Sequence, residues 1–237
     1  MKKKLRFGRL LLKVSGEVFG GEETSIDFDR VEGFAAELKG AVEAGSEIAV
    51  VLGGGNIVRG YRASERGVDR VAADSMGMLG TIINAIALQA ALERAGLEAP
   101  VMTAIAMEQF AEPYIRRRAL DHLDNGRVVI LAGGTGNPYF TTDTAAALRA
   151  VEVGAQALLK GTKVDGIYDH DPVTNPGAKL LRKVRYIDVL KNDLRVMDAT
   201  AVALCRENGI PIVVFNILTK GNLRKVLEGK LSGTIVS

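Results

Sequence analysis

The feature that most restricts the fold of this chain is an alternation, repeated along 237 residues, of short apolar runs with longer stretches of helical character. The runs at 9–14, 47–52, 100–104, 127–132, 157–160 and 211–215 are dominated by Val, Ile, Leu and Ala. Most are too apolar to keep one face in water, so they predict strands buried on both sides. Between them, 27–44, about 74–95, 113–123, 142–153, 198–208 and 222–228 predict helices, the first with Asp27 as its N-cap. Strand, helix and strand in repetition predict the α/β class: a mostly parallel central sheet with helices on both faces, an α/β/α sandwich. In such sheets ligands sit beyond the carboxyl ends of the strands, so the loops there should carry the chemistry.

Composition narrows the setting. With 47% hydrophobic and 25% charged residues and no Trp, the chain is an ordinary globular one, expected to form a single domain over 1–237. No run reads as a bilayer span, and the apolar stretch at 10–12 is cut by Lys13 before it could serve as a signal-peptide core. The expectation is a cytoplasmic protein without a membrane partner. Cys205 is the only cysteine, which excludes an intramolecular disulfide and a multi-cysteine zinc site; its place in ATAVALCREN predicts a buried helical thiol. A net charge of +3 and a pI near 9.0 suit phosphorylated ligands. The cations are scattered rather than gathered in a stripe, which disfavours nucleic acid as a partner; KKK at 2–4 and RRR at 116–118 read as a solvated tail and a solvated helix face.

Four loops stand out. LLKVSGE places Lys13 near the end of the first strand, ahead of Ser15 and Gly16. A lysine in an otherwise apolar strand needs an anion or a path to solvent, and the anion is favoured here. VVLGGGNIVRG follows the second strand and ends in Arg59. Its three glycines could bring backbone amides to a phosphate, or could form a tight turn that needs positive φ. Neither a Walker A loop nor a good G-x-G-x-x-G is present. AGGTGNPYFTTDTAA supplies backbone amides from Gly133, Gly134 and Gly136 and neutral polar groups from Thr135, Asn137, Thr141 and Thr142. Such groups suit a base edge or a phosphate ester. Asp143 opens the following helix, either to orient lysines or metal-bound water or merely to complement the helix dipole. LLKGTKVDGIYDHDP puts Lys160 at a strand end as Lys13 is, giving two ammonium groups fit to neutralise a phosphoryl group in transfer. Tyr168 could pack on a purine and Asp171 could meet ribose hydroxyls, while His170 reads as a surface residue.

LLKVSGE, GGGNIVRG, DSMGMLGTIINAIAL, AGGTGNPYFTTDTAA, LLKGTKVDGIYDHDP and VMD occur in an order and spacing that resemble the bacterial uridylate kinases, members of the amino-acid kinase fold family. The resemblance covers nearly the whole chain. It implies phosphorylation of UMP to UDP by Mg-ATP in pyrimidine nucleotide biosynthesis, without a P-loop, in a homohexamer. It implies an acceptor-binding part over about 1–153 and a nucleotide-binding part over about 154–237. By resemblance, Lys13, Val14, Ser15, Gly16, Gly55, Arg59, Thr162, Tyr168 and Asp171 fall where the family binds ATP. Gly54, Asp74, Thr135, Gly136, Asn137, Pro138, Tyr139, Phe140, Thr141 and Thr142 fall where it binds UMP. Lys13 and Lys160 would stabilise the transferred phosphoryl group, with Asp143 and Asp198 positioning lysine or hydrated Mg²⁺. Mg²⁺ would arrive mainly on ATP, with no dedicated protein metal site.

Two departures from the family pattern matter. Tyr139 stands where Phe is common, and FGGEETSID is shorter than the segment linked to GTP activation in some relatives. The segment MLGTIINAIALQAAL at 78–92 is apolar nearly all round, which predicts a subunit contact or a wholly internal helix. Two other functions stay open: a kinase of the same fold acting on a carboxylate or carbamate, and a nucleotide-sensing or nucleic-acid-binding regulator.

Overall fold

In the computed structural model, residues 5–21, 23–58, 67–170, 174–175, 177–192, 194, 196–230 and 233–237 are described. The apolar runs do become strands: β1 (Arg9–Val14), β2 (Glu47–Leu52), β3 (Val101–Thr103), β5 (Val129–Ala132), β6 (Leu158–Thr162) and β10 (Ile212–Asn216). With β4 (Glu112–Pro113), β9 (Lys183–Val184) and β11 (Gly233–Val236) they form a nine-stranded sheet in the order β4-β3-β5-β2-β1-β6-β10-β11-β9. Every pairing in it is parallel except β10 with β11. A separate antiparallel pair joins β7 (Ile167–Tyr168) to β8 (Leu180–Leu181).

Side chains along a strand alternate between the sheet's two faces, and each face here has its own core. Leu10, Leu12, Val50, Leu52 and Ile130 pack with helices α1 (Phe28–Glu43), α2 (Arg70–Arg94) and α7 (Asn222–Leu227). Leu11, Ala49, Val51 and Leu158 pack with α3 (Arg116–Asp124), α4 (Thr142–Glu152), α5 (Tyr186–Lys191) and α6 (Ala199–Glu207). Fully buried Phe19, Phe215, Leu12 and Leu38 each contribute about 1.5–3 kcal/mol by leaving water. The expected helix-covered sheet is therefore present on both faces.

The differences from expectation have local causes. Helix α2 begins at Arg70 rather than near 74, because Asp69 caps it by accepting from the backbone N–H groups of Val71 and Ala72. The sequence reading that no run could span a bilayer fails for α2, whose most apolar window has a mean hydropathy of 1.5. By length and composition alone it could cross a membrane, but in this fold it packs on α1 and on the sheet, and Asn84 at its centre is hydrogen-bonded and fully buried. Asp27 caps α1 as expected, accepting from Asp29 N and Arg30 N. Cys205 is fully buried in α6, and burial pushes its thiol up to about 12, which keeps it protonated and inert. Arg116, Arg117 and Arg118 are exposed on α3, and His170 is exposed beside Asp169, both as read; 2–4 lie outside the described residues.

Candidate active site

The chain lays down β1 and β2, moves out to β3 and β5 on one side, then crosses back through α4 to β6 on the other side of β1. That reversal places the crevice for a ligand at the carboxyl ends of β1 and β6. Lys13 and Lys160 are register partners on these strands. Both point to the face covered by α4, because they continue the alternation of Leu11 and Leu158. Two buried ammonium groups side by side repel, and Asp143 from the first turn of α4 lies between them. Its Oδ1 is 2.7 Å from Lys13 Nζ, an ion pair, and its Oδ2 accepts from Lys160 Nζ at 2.9 Å. Lys160 Nζ also donates to the Val196 carbonyl. Asp143 therefore does more than complement the helix dipole.

Burial alone would push the Asp143 carboxyl up, but the ammonium groups of Lys13 and Lys160 outweigh it and hold the carboxyl below the usual range. Burial lowers Lys160, with Lys13 adding to the effect and Asp143 opposing it. A carboxyl that titrates below its unfolded value of 3.8 contributes stability that is complete above that pH and lost as pH falls through the folded value. Lys160 also gives up stability at neutral pH and regains it only in the alkaline range, outside that window. Asp143→Asn leaves the paired ammonium groups without a counter-charge, a loss of about 3–5 kcal/mol. The melting-temperature gap between wild type and Asp143→Asn should stay wide from about pH 5 to 7 and begin to narrow below about pH 4. Scanning calorimetry across that range checks it, and a gap of equal size at both ends contradicts it.

Asp198 caps α6 through Ala201 N at 2.8 Å and accepts from Thr141 Oγ1 at 2.5 Å and Thr144 Oγ1 at 2.9 Å. It ties the start of α6 to the start of α4; among the described residues no ion pair joins it to a lysine, but its charge acts on Lys160 and opposes the lowering by burial. Thr141 caps α4 and Thr142 is its first residue.

The glycine run after β2 obeys neither of its two sequence readings in full. Gly53, Gly54 and Gly55 all have ordinary φ, so no left-handed turn demands them. Gly53 is needed because a Cβ would lie 2.9 Å from Gly16 N, and Gly54 because a Cβ would lie 2.5 Å from the Gly77 carbonyl on α2. Gly16 in turn has the Gly53 carbonyl 2.5 Å from where its Cβ would be. These glycines let the loops after β1 and β2 pack against each other and against α2. Gly55 alone faces open space. Ser15 caps the short 3₁₀ turn Gly16–Val18, which follows Val14. Arg59 and Asp171 lie outside the described residues.

The loop after β5 is built from left-handed residues: Gly133 at φ 76°, Gly134 at 59°, Gly136 at 78° and Tyr139 at 70°. Tyr139 is the one non-glycine with positive φ among the described residues, and such strain needs support from its surroundings. Asp74 supplies it, accepting from Tyr139 N at 2.7 Å while also holding Arg70 Nε at 2.8 Å. Thr135 and Asn137 bond to each other, and Tyr139 and Phe140 form the exposed tip after half-buried Pro138. Thr162 accepts from Val164 N, and Tyr168 is half-buried on β7. Lysines, carboxylates and the 133–142 loop thus meet at one crevice.

Sequence reasoning missed two side chains of α2 that hold these loops. Thr81 Oγ1 accepts from Gly133 N at 2.9 Å. Asn84 Nδ2 donates to the Gly53 carbonyl at 2.7 Å and pairs amide to amide with Asn56. Their only sequence signal is a polar residue within an apolar helix.

A cavity of about 780 Å³ opens elsewhere, at the amino ends of β3 and β5, among Glu93, Glu98, Glu108, Glu112, His122 and Arg127. Its excess of carboxylates suits a phosphate poorly, whereas the crevice at the lysines offers paired buried cations, so the chemistry is assigned to the lysine end.

Comparison with known proteins gives the family. The sequence model of the Amino acid kinase family matches residues 8–216. A UMP kinase structure from Bacillus anthracis is similar at 42% identity and a TM-score of 0.95, covering 98% of this chain and 96% of that one. A UMP kinase structure from Ureaplasma parvum is similar at 39% identity and a TM-score of 0.93, covering 98% of this chain and 99% of that one. A parallel sheet with its paired lysines at the strand reversal, and a match over nearly the whole length, have one explanation: the chain belongs to the amino acid kinase family.

Proposed function

We propose that this protein is a UMP kinase, transferring the γ-phosphoryl group of ATP to UMP to give UDP and ADP in pyrimidine nucleotide synthesis. The observation that carries the reading is the Lys13–Asp143–Lys160 cluster, two cations held in register at the crevice by one carboxylate. Phosphoryl transfer asks mainly for positioning and for positive charge around the transferred group. An acceptor phosphate is already ionised, so no general base is required. The likeness at 42% and 39% identity to proteins described as UMP kinases supports the choice of acceptor.

In this reading Lys13 to Gly16, Gly55, Arg59, Thr162, Tyr168 and Asp171 hold ATP, the last three of them from the part beyond about residue 153. Gly54, Asp74 and Thr135 to Thr142 hold UMP. Among the described residues no group of three or more His, Cys, Asp or Glu side chains is placed to hold a metal. Asp143 is committed to the lysines, and Asp198 to Thr141, Thr144 and Ala201. Mg²⁺ would arrive on ATP and shield phosphate charge, and Asp143 and Asp198 would position the lysines or the hydrated ion. In this reading the enzyme works in the cytoplasm, where ATP and UMP are supplied. A coupled ADP-release assay tests the reading: turnover should depend on UMP, and ADP release with carbamate or a carboxylate instead of UMP would overturn it.

The enzyme works as a homo-oligomer, a homohexamer by resemblance, assembled in part through α2. Met76, Leu79, Ile83 and Ile86 are 42%, 48%, 46% and 40% exposed, and their spacing puts them on one face of the helix. An apolar stripe of this kind marks a contact surface. Leu79→Glu with Ile83→Glu should shift the mass seen by light scattering to smaller species, and a wild type that is only monomeric at micromolar concentration would contradict the assembly.

A further inference from the structure

Helix α2 carries the loop after β5 at two points. Asp74 holds Tyr139 N, and Thr81, two turns further on and on the same face, holds Gly133 N. Thr81 is 2% exposed, and its hydroxyl donates to the Met78 carbonyl at 2.7 Å. That donation turns an Oγ1 lone pair towards the buried Gly133 N–H, 2.9 Å away. The Gly133 carbonyl then accepts from Gly136 N at 3.0 Å. Gly133, Gly134 and Gly136 are all left-handed. Glycines restrict such a backbone little by themselves, so its shape depends on these external anchors.

We propose that Thr81 is a positioning residue for the UMP-binding loop. It acts through the Gly133 N–H and fixes where the polar groups of Thr135 to Thr142 meet the acceptor; this rests on the UMP kinase reading above. Removing the hydroxyl leaves a buried donor without a partner, and the loop must move to satisfy it. The effect falls first on the acceptor, because among the described residues the Thr81 hydroxyl bonds to the Met78 carbonyl and to Gly133 N and to no residue of the ATP side.

The test compares Thr81→Val, which keeps the shape and removes the hydroxyl, with Thr81→Ser, which keeps the hydroxyl and removes the methyl. Thr81→Val should raise KM for UMP roughly fivefold to a hundredfold, the range over which an unsatisfied buried donor shifts an equilibrium. Its KM for ATP should change less than about twofold and its kcat less than its KM for UMP, the pattern of lost acceptor binding. Thr81→Ser should restore KM for UMP to near wild type. A merely structural role predicts the reverse order, because Ser leaves a methyl-sized void and Val does not. Hydrogen exchange at the Gly133 amide should be fast in Thr81→Val and slow in wild type and Thr81→Ser, a readout that needs no turnover. The proposal is overturned if KM for UMP in Thr81→Val stays within twofold of wild type, if both Michaelis constants rise together, if Thr81→Ser is as impaired as Thr81→Val, or if Gly133 exchanges equally in all three. Thr81→Ser decides the matter even where Thr81→Val does not fold, since a tenfold rise there overturns it. A wild type that leaves UMP unphosphorylated refutes the acceptor instead, and the exchange comparison still judges Thr81.

Discussion

Lys13→Ala and Lys160→Ala each lower kcat by roughly a hundredfold or more, while the Michaelis constants for ATP and UMP change far less. The two ammonium groups lie side by side at the strand ends, bridged by Asp143, and are nearly buried. In the ground state Asp143 already offsets much of their charge. As negative charge spreads over the transferred phosphoryl oxygens, the lysines gain an interaction that ATP and UMP at rest do not give them, and that difference appears in kcat. A hundredfold corresponds to about 2.7 kcal/mol, within the range for losing one such contact. Lys13→Met and Lys160→Met retain an apolar stem in each buried position and separate loss of charge from loss of packing. Steady-state kinetics on folded protein check this; near wild-type kcat in both positions would remove the lysines from the chemistry.

UMP should be preferred over CMP by a factor of roughly 10² or more in kcat/KM. The loop from Gly133 to Tyr139 is locked by bonds from Gly133 N to Thr81, Gly136 N to Gly133 O, Asn137 N to Thr135 and Tyr139 N to Asp74. Its polar groups are therefore held in set directions. Uracil presents an N3–H donor and an O4 acceptor, and cytosine reverses both. Two mismatched buried contacts at about 1–3 kcal/mol each give that ratio. Competing the two nucleotides in one assay measures it, and comparable kcat/KM values would remove the uracil-reading role from Thr135 to Thr142.

Much of this architecture was legible in the sequence because buried parallel strands must be apolar throughout. Runs 9–14 and 47–52 match β1 and β2 residue for residue. The marginal elements were not legible: β4, β7, β8 and β9 are two residues each and take their form from neighbours, and β11 depends on pairing with β10 at a distance. At the site, Lys13 and Lys160 stood out as cations in apolar strands, yet their adjacency came only with the β1–β6 register. Asp143 could equally have served a helix dipole until both lysines were found on it. Asp74 was assigned to UMP by resemblance; its contact with Tyr139 N, which supports a left-handed residue, has no local signature. The packing role of Gly53 and Gly54 was not legible, because close approach to a ligand and close approach to another loop both require the same missing Cβ.

The central claim is that the crevice at Lys13, Lys160 and the 133–142 loop moves a phosphoryl group from ATP to UMP. Phosphorus NMR of wild-type protein with ATP and UMP tests it most directly, because donor and product are seen together. The account predicts that the γ-phosphorus signal of ATP falls as the two signals of UDP and those of ADP grow in equal amount, with little inorganic phosphate. Loss of the γ signal into inorganic phosphate alone, or an ATP spectrum unchanged by UMP, would contradict it.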